Sequence, residues 1–135
     1  MAGLLAVPRG NDIPSLTEAV AVLADGRYYK WWYAIIAGLD EASRQGIDTR
    51  DVPVATLQTA LVIVTELLLF SDEADKERTW KNQFFDEQPE HAKDALLALA
   101  KSELAKGKEP VSGLHELLKD ERLAPLRPRV VIELL

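Results

Sequence analysis

The chain reads as an all-α protein, a compact bundle of five or six helices around one buried helix, with an irregular N-terminal arm and an extended C-terminal tail. Three observations predict this. The stretch from Pro53 to Phe70 is apolar nearly all round at helical spacing. Other apolar residues recur three and four apart, the spacing that puts them on one helix face. Capping residues and glycines then mark off segments of helical length.

The central stretch comes first because the others must cover it. At about 100° per residue, Leu57, Ala60, Leu61, Ile63, Val64, Leu67 and Leu68 fill half of its circumference. Val62 and Leu69 interrupt the polar residues of the other half. A surface helix needs only one apolar stripe, so this one has to be wrapped by neighbours.

Residues 1 to 14 hold Gly3, Pro8, Gly10, Asn11 and Pro14 and read as the irregular arm. Ser15-Leu16-Thr17-Glu18 forms a capping box, with the Ser15 hydroxyl placed to accept from the Glu18 amide. The first helix follows, with Leu16, Ala19, Val20 and Leu23 inward and Gly26 as its stop. A second helix is expected from near Arg27 to Gln45, stopped by Gly46. Ile47 to Val52 is a loop, with Asp51 as an N-cap for the central helix and Pro53 in its first turn.

After Phe70 comes the charged run Asp72 to Arg78, whose alternating signs suit a solvated helix face. A break near Ser71 and Asp72 is expected, since both are cap residues. Trp80 and Phe84 then share a face one turn apart. Pro89 opens a helix from Glu90 to Lys106, stopped by Gly107, whose many alanines allow close packing. A shorter helix over Val111–Leu123 carries Leu114, Leu117 and Leu118. The chain thus divides into an arm (1–14), a helical domain (15–123) and a tail (124–135).

In the tail, Pro125 and Pro128 argue against helix, and Val130, Val131 and Ile132 are β-branched. A lone strand needs a partner for its backbone groups, so one reading has the tail pairing with another molecule. The other folds it back onto its own core as a helical turn or extended cover.

Composition excludes more than it assigns. Without cysteine there is no disulfide, thiolate metal site or cysteine nucleophile, which suits a cytoplasmic protein. A net charge of -6 disfavours general phosphate-backbone binding and attraction to anionic membranes. The apolar run of the central helix is shorter than the ~20 residues a bilayer needs, and Gln58 and Glu66 lie within it.

Catalytic signatures are missing. Gly107-Lys108 has no earlier glycine to make a phosphate loop, and Ser112-Gly113 lacks the glycine of a nucleophile elbow. His91, with Glu87 and Asp94, forms an acidic–imidazole helix face, the one place where an enzyme with a helical active site is conceivable. Neither His91 nor His115 has a glutamate three residues before it, as a di-metal bundle requires. No metal or cofactor is expected.

Tyr28-Tyr29-Lys30-Trp31-Trp32-Tyr33 places five rings in six positions. On a continuous helix Tyr28, Trp32, Ile35, Ile36 and Leu39 would line the core. Trp31 lies at the stripe's edge; in one reading all the rings cap the core, and in the other Tyr29 and Tyr33 are surplus and serve as interface anchors. The expected function is therefore a non-catalytic protein–protein interaction subunit, as an oligomer component or as an adaptor or inhibitor. It would bind a protein partner or a second copy through Tyr29, Trp31 and Tyr33 with Val130, Val131 and Ile132. The alternative is nucleic-acid association through Arg122, Arg127 and Arg129.

Overall fold

The computed structural model describes residues 15–28, 30, 32–68, 78–107 and 111–134. Among them are seven packed α-helices and no strand. The arm 1–14, Tyr29, Trp31, the side chains of Leu67 and Leu68, and residues 69–77 with the expected break at Ser71 lie outside the described residues.

Helix α1 (Leu16–Ala24) starts where the capping box places it, the Ser15 hydroxyl accepting from the Glu18 N–H at 3.2 Å. Gly26 ends it at φ 76°, a left-handed conformation that glycine adopts without a Cβ penalty. Helix α2 (Trp32–Arg44) begins later than the sequence suggests, because Asp25 and Gly26 form a turn and Arg27 and Tyr28 are not helical. Trp32, Ile35, Ile36 and Leu39 form its buried stripe. Tyr28, no longer on that helix, is displaced from the core.

A 3₁₀ turn, Thr49–Asp51, precedes α3 (Val54–Leu68). Asp48 rather than Asp51 acts as the cap, and it caps this turn; in α3 the Thr56 and Leu57 amides donate to the Pro53 carbonyl. From Thr56 to Thr65 every α3 side chain except Gln58 is buried. Helix α4 (Thr79–Glu87) is separate from α3, since Arg78 is extended at φ -117°, ψ 119°. Arg78 itself is buried rather than solvated.

Helix α5 (Pro89–Ala105) has Pro89 at its first position, where the missing N–H has no intrahelical partner in any case. Helix α6 (Ser112–Lys119) is shorter than expected. Asp120 stops it by turning its carboxylate onto the Arg122 N–H at 2.9 Å, which starts a 3₁₀ segment, Glu121–Leu126. Helix α3 packs against α1, α2, α5 and α6, while α5 packs against α1, α3, α4, α6 and this 3₁₀ segment. The core lies between α3 and α5.

The extended tail is overturned. Residues Arg127–Leu134 form α7, and the described residues hold seven helices where five or six were expected. Pro128 is the second residue of α7, within the first helical turn, where proline is tolerated. Pro125 sits in the 3₁₀ segment. Burial of Val130 in the core outweighs the β preference of the run.

Candidate functional site

The aromatic stretch divides between inside and outside. Trp32 is buried in the core, whereas Tyr28 and Tyr33 remain 47% and 43% exposed. Their rings meet edge to face, centroids 5.9 Å apart at 88°. The Tyr33 N–H donates to the Lys30 carbonyl at 3.2 Å, tying the turn to the start of α2. The side chain that completes the pair with Tyr33 is therefore Tyr28, which the helical register assigns to the core. Gly26 was the signal that could have found it, since a stop there leaves little length for a helix to restart before Trp32.

Cationic residues stand beside the pair in the chain, Arg27 before Tyr28 and Lys30 between the two tyrosines. Arg27 reaches Asp25 at 3.1 Å and Lys106, at the end of α5, reaches the same carboxylate at 2.9 Å. Those two cations, Lys106 foremost, hold the Asp25 carboxyl below its ordinary value. Lys30 is exposed and has no ion pair among the described residues.

The C-terminal candidates split in the same way. Val130 is in the core and is withdrawn from any partner, because it lies on the inward face of α7. Val131 and Ile132 point outward, 56% and 71% exposed. Glu133 faces the buried Lys93 ammonium at 3.7 Å. Burial alone would lower the Lys93 pKa; Asp94 at 2.7 Å and Glu133 outweigh it and keep the pKa raised.

The three arginines do not form one patch. Arg122 forks onto Asp120 at 2.9 and 2.8 Å, donates to the Asn82 carbonyl at 3.2 Å, and covers the Phe85 ring at 4.8 Å. Arg127 donates to the carbonyls of Leu118 at 2.7 Å and Asp120 at 3.1 Å, closing the C-terminal end of α6. Arg129 pairs with Glu90 at 2.9 Å on the surface. Each guanidinium is matched within the fold.

His91 is exposed, and its carbonyl accepts from the Gln58 side chain at 3.0 Å. Among the described residues no group of three or more His, Asp or Glu side chains is placed to hold a metal ion. An open groove of about 500 Å³ runs between the end of α2 and α4, past Ile47, Asp48, Gln83 and Asp86. Its acids are matched too. Arg50 forks onto Asp48 and lowers that carboxyl to about 2, and Arg122 lies 3.5 Å from Asp86. Gln83 closes the floor by accepting from the Thr49 N–H at 3.1 Å and donating to Asp48 at 3.2 Å.

Two buried polar junctions escape sequence reasoning, because each joins residues far apart in the chain. The Trp80 indole N–H donates to Asp40 at 2.8 Å, and the Arg78 guanidinium lies 3.4 Å from the same carboxylate, joining α4 to α2. The Glu103 carboxylate accepts from the Gly113 N–H at 3.0 Å, joining α5 to α6. No helix among the described residues is long and apolar enough to cross a membrane. Compared with protein-family models, with curated proteins and with solved structures, the chain matches none.

Proposed function

We propose that this protein is a non-catalytic interaction subunit that engages a protein partner through the Tyr28–Tyr33 end of α2. The observation that carries the reading is the ring pair itself. Two tyrosines each nearly half exposed, yet braced edge to face, are anchors already held in place. Large amphipathic rings that lose little side-chain entropy on binding are the residues that dominate interfaces. The outward Val131 and Ile132 of α7 offer a second apolar surface. Arg122 and Arg127, matched within the fold, give less support to phosphate binding than to this reading.

The test is the Tyr28→Ala/Tyr33→Ala variant. Far-UV helicity and melting midpoint stay close to those of the parent, while capture of the partner, or self-association measured by light scattering, is lost. Retention of both associations in the folded variant removes the reading.

A further inference from the structure

We infer that the tyrosine-bearing end of the bundle docks an acidic protein segment with an apolar anchor. Tyr28 and Tyr33 would receive the anchor, and Arg27, Lys30 and Lys106 the carboxylates. The inference rests on the interaction reading above and adds the chemistry of the partner.

The charge arrangement argues for it. The chain as a whole carries -6, yet at this end Arg27 and Lys106 gather against the carboxylate of Asp25, and Lys30 follows three residues after Arg27 in the chain. Asp25 stays ionised, its carboxyl held low by Lys106 and then Arg27, and one carboxylate cannot neutralise both neighbours. Lys30 adds a charge with no ion pair among the described residues. At physiological salt, charges beyond about 8 Å are largely screened, so the local surplus and not the global balance meets a docking segment.

The cations flank apolar rings rather than lining a track. Lys30 lies between Tyr28 and Tyr33 in the chain, and Arg27 directly precedes Tyr28. An apolar side chain seated on the rings would bring neighbouring carboxylates within reach of flexible cationic arms, a charge-complementary rim around an anchor. Successive nucleobases fit less well. They need parallel stacking platforms beside a continuous basic groove, and these rings stand at 88° to each other.

The experiment is fluorescence anisotropy on the full chain with a short labelled peptide of Glu, Asp, Leu and Phe. The controls are the same peptide with lysines replacing its acids and a single-stranded oligothymidine. The expected result is saturable binding of the acidic peptide that weakens with salt. Arg27→Glu/Lys30→Glu should weaken it about tenfold or more, as should Tyr28→Ala/Tyr33→Ala. The lysine peptide should not bind. Arg27 and Lys30 are exposed, so the charge-reversed variant carries the test even if the alanine pair fails to fold.

Absence of saturable binding, binding indifferent to charge reversal, or tighter binding of the oligothymidine overturns the inference. If partner capture is lost with the alanine pair but survives charge reversal, the tyrosine surface stands and its acidic partner does not. If capture survives the alanine pair, the interaction reading fails as well.

Discussion

The Glu103 carboxylate of α5 accepts a 3.0 Å hydrogen bond from the backbone N–H of Gly113, the second residue of α6. Helix α6 begins without a side-chain cap of its own, so a neighbouring helix provides the acceptor. Glu103 is fully buried there, and the amide it satisfies would otherwise be stranded away from water.

Glu103→Ala is therefore expected to cost about 1–3 kcal/mol through the unsatisfied amide, read as a lower thermal midpoint. Glu103→Gln keeps an acceptor oxygen and should recover much of that loss. Equal midpoints for the parent and the alanine variant would mean that the α6 amide finds another partner.

The same residue sets a pH dependence. Burial pushes the Glu103 carboxyl above its ordinary value, against the opposing pull of the Gly113 and Ser112 amides. A raised folded-state pKa means that the folded chain holds the proton longer. Stability from this group is fullest below the unfolded pKa and is lost as pH rises through the folded one. Asp25, Asp48 and Asp120 act oppositely. Their lowered values give stability that is present above the unfolded pKa and lost as pH falls, for Asp48 through about 2. Urea midpoints across acid to neutral pH should thus lose their decline above the ordinary glutamate range in Glu103→Gln, while the acid-side loss persists.

Gly113 lies so close to α5 that a Cβ added to it would stand 2.5 Å from the Leu96 carbonyl oxygen and 2.7 Å from the Ala100 amide nitrogen. Both atoms are backbone and cannot rotate aside. Gly113→Ala should destabilise by about 1–3 kcal/mol or more as the helices are forced apart, despite alanine's better helix propensity. A gain in urea midpoint would show that α6 can shift without loss.

Leu61 is wholly buried at the middle of α3. Leu61→Ala is expected to cost about 2–5 kcal/mol, lost burial and a residual cavity acting together. A midpoint unchanged within error would be incompatible with a helix enclosed by α1, α2, α5 and α6.

Removing residues 127–135 should lower the melting midpoint, and any association that Val131 and Ile132 support should fall with it. Val130 is buried, a contribution of about 1.5–3 kcal/mol, and Arg127 closes the end of α6. A truncated chain as stable as the parent but altered in association would instead make α7 chiefly an interface.

The all-helical class, the Ser15 cap, the glycine stops at Gly26, Gly46 and Gly107 and the apolar stripe of α3 from Leu57 to Val64 were all legible in the sequence. Each depends on residues within about one turn of each other, where spacing and backbone freedom suffice. The alanine-rich composition of α5 likewise announced close packing, though not that Gly113 would be its counterpart. Tertiary structure alone decided the rest. It turned the β-prone tail into α7 because burying Val130 outweighs local preference, and it left Tyr28 outside because α2 starts only at Trp32. It also set Trp80 and Arg78 on Asp40, and Glu103 on Gly113. Such pairings depend on which helices meet, and a pattern of local spacings carries no record of that.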